Sequence, residues 1–464
     1  MTEIIFQAFV QKVSLPLIAK REGMPGILDH LEELNRSQFY PKDQLIERQF
    51  SKLRRMLEHA GKHVPYYRDV FRETGFEPKD FKSFEDLKRL PVLSKSVIRG
   101  EGERLLAQNI PTSELHQSET GGTTGVKMQF YRNNACLAAK EAGLYRFEQW
   151  SGWGIGERMG LVWPAQQDYV GHWTLKARVK NELFRRQVVF PAAVLDEESI
   201  SNYINLLKKK RPSMIRAFVT PLYETAKYII ENHVSGLSLK GVITTGEPLF
   251  GHQRQVISEA FQCPVFDSYR CRELGPVAQE CELHDGMHLN AEALYVEIIP
   301  PEEPDKYERG IGELVVTDLL NFGMPFIRYK LGDMAAFSGR QCPCGRGLPL
   351  IEKLAGRTAD QFITPGGKRI SPGALVLYLV DQAPGVMGQV QIIQDALEHL
   401  TLRYTPAPPL STEIMQYQES KIRSLFGEEM KVSFEQVPEI PKESSGKYLF
   451  TKCLVDKDGK KTLE

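Results

Sequence analysis

The stretch SETGGTTGVKMQF, Ser118–Phe130, sets three threonines and three glycines ahead of Lys127. On its C-terminal side Val126, Met128 and Phe130 alternate with polar residues, as a half-buried strand requires. On its N-terminal side RLLAQNIPTSELHQ is polar and broken by Pro111. The segment therefore reads as strand–turn–strand with a tip rich in glycine and hydroxyl groups. Glycine at positive φ lets backbone N–H groups converge on an anion, and threonine hydroxyls add donors. A nucleotide-binding P-loop would end in Gly-Lys-Ser/Thr and open a helix. Here Gly125 is followed by Val126 and a strand, which excludes a Walker-type loop. Taken alone, the segment fits an anion-gripping loop or a plain turn.

Outward from this loop the pattern is ordered. Residues 41–110 read as helical, and CLAAKEAGLYRFEQW, from 136 to 150, is a second helix. Beyond it RMGLVW, MIRAFV, LKGVITTGE and PVFDSY read as strands, with helices of about a dozen residues between them. That alternation predicts a largely parallel, layered sheet. MHLNAEALYVEIIP and GELVVTDL predict a more antiparallel stretch. After Gly366-Gly367 the pattern resets, and ALVLYLVDQ, GQVQIIQD, HLTLRYT, TEIMQYQESKIRSLFG and KVSFEQV suggest a small α+β domain of ordinary size. The expected division is 1–358 and 359–464.

Lysine plus arginine equals aspartate plus glutamate, 59 of each. This balance argues against broad electrostatic binding of nucleic acid. The amino terminus lacks the basic start and continuous apolar centre of a signal peptide, and no apolar run is long enough to span a bilayer. Seven cysteines are few for 464 residues and odd in number, so a disulfide framework is not expected and a reducing cytoplasm is the expected compartment.

Further segments line up with the loop. ITTGEPL ends an apolar strand at Gly246-Glu247-Pro248, where a turn is the plain reading. DSYRCRELGP places Tyr269 and Glu273 just after another strand, where open α/β sheets keep their ligand crevices. MPFIRYKLGD puts Asp333 after a strand, a place that equally suits an Asx turn. GRTAD, Gly356 to Asp360, falls at the domain boundary, and PKESSGKYLF holds Lys447 in a glycine-containing loop.

In this order and spacing the motifs resemble the adenylate-forming enzymes, and within them the phenylacetate–coenzyme A ligase-like family, in the branch that includes capsular-polysaccharide CapK-type proteins. The resemblance runs from HVPYYRDVF and FEDLKRLPVLSK through TGGTTG, TTGEPL, YRCRELGPVAQEC and GMPFIRYKLGD to GRTAD and PKESSGK. It implies an α/β fold, with a large multilayered N-terminal adenylation domain and a small mobile α+β C-terminal domain. It also implies that Thr120, Gly121, Gly122, Thr123, Thr124, Gly125 and Lys127 handle the ATP phosphates. Gly246, Glu247 and Pro248 would border the adenine, with Tyr269 against it. Glu273 would hold Mg²⁺, Asp333 the ribose with Arg357 beside it, Asp360 would be the hinge, and Lys447 the catalytic lysine.

By this resemblance the chain activates a carboxylic acid with ATP, releases pyrophosphate and passes the acyl group to coenzyme A. The alternatives are an acyl-adenylating amide synthetase or nucleotidyl transferase of natural-product or polysaccharide biosynthesis, with an amine acceptor in the first case. A non-catalytic nucleotide-binding protein is the alternative of another class. A homodimer is compatible with any of them.

Two positions depart from the family pattern. Arg270 replaces the glycine after the key tyrosine, a bulky charge near the expected acyl pocket that conflicts with an aromatic acid as substrate. Arg272 stands where many relatives carry Thr or Ser.

QECELHDGMH and GRQCPCGRG hold a separate signal. Cys281, His284, Cys342 and Cys344 offer three thiols and an imidazole, the donor set of tetrahedral Zn²⁺. Some members of the resembled branch have such a site. His288 is a rival fourth ligand, although it begins an expected strand. Four protein ligands leave no open position, so such a zinc would be structural.

Overall fold

The computed structural model describes residues 2–24, 26–120, 128–163, 186–192, 196–300, 310–357, 362–366, 369–370, 390–405, 410–440 and 451–455. The strands are β1 Leu115–Glu119, β2 Gln129–Asn133, β3 Met159–Trp163, β4 Gln187–Pro191, β5 Met214–Phe218, β6 Gly241–Thr245, β7 Val265–Cys271, β8 Gly275–Glu280, β9 Met287–Leu289, β10 Leu294–Ile299, β11 Gly312–Asp318, β12 Tyr329–Phe337 and β13 Leu350–Arg357. β1 and β2 pair antiparallel, with Ser118 opposite Phe130. Met128 and Phe130 are fully buried, as their alternation requires, while the tip of the turn, 121–127, lies outside the described residues.

β3 to β13 form one eleven-stranded sheet in the order β10-β11-β12-β13-β9-β8-β7-β6-β5-β3-β4. β4, β3, β5, β6 and β7 are parallel. The remaining neighbours, from β7 to β10, are antiparallel. The two stretches that read differently in the sequence are thus halves of a single sheet. They change sense at β7–β8, where a three-residue turn is too short for a parallel crossover.

β6 is buried at every position, as expected of a strand covered on both faces. Helices Glu197–Lys210, Val219–Glu231 and Gly251–Phe261 supply one core with β3 to β7, through Tyr203, Leu222, Ile257 and Val242. On another side Ala138 and Ala142 of helix Asn134–Trp150 pack with Ile243 and Phe266. The helices before β1, chiefly Lys42–His63 and Pro65–Thr74, pack with β2 and the antiparallel strands around Phe81, Phe130 and Tyr329. Among the described residues no helix is long and apolar enough to cross a membrane.

The C-terminal residues have their own strands, β14 Phe362–Ile363, β15 Arg369–Ile370, β16 Val390–Ala396, β17 His399–Tyr404, β18 Lys431–Gln436 and β19 Thr451–Cys453. β16 to β19 form a four-stranded sheet in the order β18-β17-β16-β19. Helix Thr412–Phe426 packs on it, and Ile392, Leu402, Ile422 and Phe426 share one core. The expected strand ALVLYLVDQ lies outside the described residues.

Candidate functional site

The carboxyl ends of parallel strands leave backbone amides and short loops at one edge, where α/β sheets bind ligands. Gly246 follows β6 there at φ +82°, and a Cβ on it would come within 2.5 Å of the Phe218 ring. Only glycine fits that conformation and that approach. Glu247 accepts the Thr220 N–H at 2.7 Å, which ties the exit of β6 to the positive end of helix Val219–Glu231. Pro248 is exposed.

One strand further along, the Tyr269 hydroxyl donates to Asp333 Oδ2 at 2.5 Å. Asp333 is not beyond a strand, as the sequence reading placed it. It lies inside β12 at a register shift, opposite Arg357 of β13, whose side chain lies outside the described residues. Burial and the Asp333 carboxylate push Tyr269 well above the ordinary tyrosine range, so it is a neutral donor.

Glu273 sits in the turn between β7 and β8 and is 6% exposed. Its Oε1 accepts the Tyr329 hydroxyl at 2.9 Å, and Lys95 Nζ lies 3.6 Å away. The Glu273 carbonyl accepts from Lys140 Nζ at 3.3 Å, and that ammonium is bonded to buried Asp318 at 2.5 Å. The ion pair is dry and hydrogen-bonded at both ends, so removing either partner would strand a buried charge. Lys140, Asp318 and Tyr329 are positioning residues that the motif reading missed. Lys95 was also missed, although it closes the quoted run FEDLKRLPVLSK.

Thr120 closes the neck of the glycine-rich loop. Its N–H donates to Met128 O at 2.9 Å, and its Oγ1 accepts the Met128 N–H at 3.0 Å. Arg272 Nη1 donates to Glu119 O at 3.2 Å, which joins that neck to the Glu273 turn. Tyr269, Asp333, Glu273 and Thr120 thus meet around one crevice. Gly121, Gly122, Thr123, Thr124, Gly125, Lys127, Asp360 and Lys447 lie outside the described residues.

The thiol cluster is a second centre. Cys281, His288, Cys342 and Cys344 bring their ligand atoms within 4.8 Å of one another. Cys281 Sγ lies 3.7 Å from Cys342 Sγ, and Cys344 Sγ lies 3.3 Å from His288 Nε2. The imidazole is therefore His288 and not His284. After Cys281 the chain turns back, with His284 at φ +51° and its N–H on Cys281 O. The His284 ring is sent to Glu280, 3.1 Å from Nδ1, and onto Phe266. β9 then returns between β8 and β13 with His288 opposite both Gln279 and Leu350, which delivers its imidazole to the Cys342–Cys344 loop.

His288 Nδ1 lies 3.3 Å from Leu348 O, an arrangement that orients the ring and leaves Nε2 toward the thiols. Burial pushes His288 down to about 4, so the imidazole is neutral and its lone pair available. Burial pushes Cys281 up to about 12, with further repulsion from Cys344. Burial also raises Cys344, but hydrogen bonds involving Arg346 outweigh it, and this thiol falls below its ordinary value. A tetrahedral zinc with Zn–S of ~2.3 Å and Zn–N of ~2.0 Å requires S···S near ~3.8 Å and S···N near ~3.5 Å. The donor set and spacing fit that ion.

Residues 362–453 match the family described as the CapK C-terminal domain. Protein CapK of Staphylococcus aureus is 22% identical over 96% of this chain and 96% of its own length. A phenylacetate-coenzyme A ligase of Thermus thermophilus is 26% identical over 81% and 84%. Among solved structures, a 2-hydroxyisobutyryl-CoA ligase in the postadenylation state superposes with a TM-score of 0.74, at 22% identity, over 91% of this chain and 92% of that one. The mixed sheet with its separate C-terminal α+β unit is the fold of the adenylate-forming CoA ligases. Within that class the chain is similar to phenylacetate–coenzyme A ligases and to CapK, and its C-terminal residues match the CapK C-terminal family.

Proposed function

We propose that the chain is an ATP-dependent, AMP-forming acid–coenzyme A ligase, with residues 1–358 as its adenylation domain and 359–464 as a mobile C-terminal domain. The observation that carries this reading is the crevice at the strand ends, where the Tyr269–Asp333 pair, the buried Glu273 and the neck of the glycine-rich loop come together. The substrate carboxylate attacks the α-phosphorus of ATP, its oxygen–phosphorus bond forms, and the bond to pyrophosphate breaks. The thiol sulfur of coenzyme A then attacks the acyl carbon, loses its proton, and AMP leaves.

Asp333 would accept ribose hydroxyls, with Tyr269 holding one of its oxygens in position. The amides and hydroxyls of Thr120 to Gly125, with Lys127, would hold the β- and γ-phosphates, and Gly246 to Pro248 would border the adenine beside Tyr269. Glu273 offers a single carboxylate oriented by Tyr329, which suits Mg²⁺, an ion that takes its remaining ligands from phosphate and water. When bound there, Mg²⁺ would neutralise charge as pyrophosphate departs. Lys447, carried on the C-terminal domain, would add a positive charge in the adenylating orientation and withdraw for thioester formation.

The Cys281–His288–Cys342–Cys344 cluster is read as a closed zinc site that joins β8 and β9 to the β12–β13 connection. Its part is structural, since no coordination position is left for substrate. The test of the main reading is pyrophosphate release over a panel of carboxylic acids, with and without coenzyme A. Release that is followed by thioester supports it. Release with acyl transfer only to added amines would favour an amide synthetase, and no release with any acid would reject ligase chemistry.

A further inference from the structure

Arg270, the residue that displaces the family's glycine, makes its side-chain hydrogen bonds to neutral groups among the described residues. It lies on β7 next to Tyr269 and is partly exposed. Its Nε donates to Ser268 Oγ at 2.7 Å and its Nη2 to Gln279 Oε1 at 3.1 Å. Both acceptors are neutral, and no carboxylate among the described residues forms an ion pair with it. Gln279 is itself fixed by donating to Phe147 O at 2.5 Å. The guanidinium is therefore aimed and held without a direct carboxylate partner among the described residues.

A second guanidinium sits beside it. Arg216 of β5 is 13% exposed and pairs with Glu148 of helix Asn134–Trp150, while its Nε is buried without a hydrogen-bond partner. Glu141 and Glu148 lie seven residues apart on that helix, and both act on Arg270. Burial and Arg216 push Arg270 down to about 9, against the pull of Glu148 and Glu141. Burial also raises Glu148 despite both guanidiniums. The two native carboxylates thus leave Arg270 short of its full charge stabilisation. A charge drawn out of water is costly unless it is paired, and the partial exposure of Arg270 lets a ligand supply that pair.

We infer that Arg270, backed by Arg216, forms an anion subsite in the acyl crevice, and that the acid activated here carries a second negatively charged group, such as the distal carboxylate of a dicarboxylic acid. This rests on the acid-activating reading above and adds its substrate class. One carboxylate reacts with ATP, and the other docks on the guanidinium, with charge-assisted N–H···O bonds and planar geometry that lysine would not reproduce. An arylacetic acid such as phenylacetate would leave Arg270 without a ligand partner and desolvate it further.

The experiment measures pyrophosphate release with malonate, succinate and glutarate against propionate, butyrate, phenylacetate and 2-hydroxyisobutyrate. It uses the full chain and the variants Arg270→Gly, Arg270→Met and Arg270→Lys. The expected result is a kcat/KM at least about 100-fold higher for a dicarboxylate than for the monocarboxylate of equal length. That preference should vanish in Arg270→Gly and Arg270→Met and be partly kept in Arg270→Lys, while calorimetric affinity for ATP changes less than about threefold. Arg270→Met keeps the side-chain stem, and its melting temperature separates lost binding from lost folding. Activation of neutral acids that is indifferent to Arg270 would overturn the subsite and leave the ligase reading standing. If no acid releases pyrophosphate, the ligase reading falls instead. Calorimetric titration of succinate and glutarate then judges the subsite directly: binding lost in Arg270→Met upholds it, and no binding to the unaltered chain rejects it.

Discussion

Replacing His288 with alanine should release a metal that replacing His284 leaves in place. The sulfur–sulfur distance of 3.7 Å and the sulfur–nitrogen distance of 3.3 Å match the edges of a zinc tetrahedron, whose ideal values are near ~3.8 and ~3.5 Å. Structural zinc contributes roughly 10–16 kcal/mol of binding free energy at neutral pH. Shared over four ligands, that is about 2.5–4 kcal/mol each, or a loss of roughly 10²–10³-fold in affinity on deleting one. Unfolding entropy near 2.1 cal/mol/K per residue, over the roughly 360 residues of the proposed adenylation domain, converts 3 kcal/mol into a fall of about 4 °C in melting temperature. His284→Ala instead loses a contact to Glu280 on a side chain that is 30% exposed, worth about 0.2–1 kcal/mol. Elemental analysis of protein purified without added metal, followed by competition with a chromophoric chelator and calorimetry, reads all of this. About one zinc per chain, kept in His284→Ala and weakened in His288→Ala, is the expected outcome. Protein free of zinc with all seven thiols titratable would refute the site, and metal lost from His284→Ala but kept in His288→Ala would refute the ligand assignment.

Glu273→Gln keeps shape and removes charge, so adenylation should fall by about two orders of magnitude or more, with the deficit eased at high Mg²⁺. Unaltered turnover at low Mg²⁺ would sink the assignment. Lys447→Ala should slow acyl-adenylate formation sharply and leave thioester formation from supplied acyl-adenylate nearly intact, and an equal loss in both half-reactions would end the alternation idea. Burial and the adjacent Glu280 push Asp267 up to about 7, above its unfolded value. The native state therefore binds the extra proton, and this group's contribution to stability declines as pH rises from about 4 through about 7, with a slope of at most about 1.4 kcal/mol per pH unit. Asp267→Asn should remove that slope and raise stability at pH 8 relative to the unaltered chain. Parallel denaturation-against-pH curves for the two proteins would contradict it.

Local pattern alone determined a good deal. The alternation around Met128 and Phe130 specified a strand pair flanking the glycine-rich turn, because side-chain period and turn chemistry belong to neighbouring residues. The apolar runs at RMGLVW, MIRAFV and LKGVITTGE announced buried parallel strands for the same reason, and the order of short motifs announced the likeness to acid–coenzyme A ligases. Tertiary structure alone decided which groups meet. The Cys-x2-His spacing pointed to His284, yet the turn after Cys281 carries that ring to Glu280, and the β8–β9–β13 register brings His288 to thiols some sixty residues away. Asp333 read as a residue beyond a strand, and only the β12–β13 pairing sets it inside one, under the Tyr269 hydroxyl. Arg270 was legible as an anomaly in the sequence. Its neutral hydrogen-bond partners among the described residues, and the presence of Arg216 beside it, depend on strands and a helix far apart along the chain. Such pairings are fixed by sheet register and helix packing, which no local window contains.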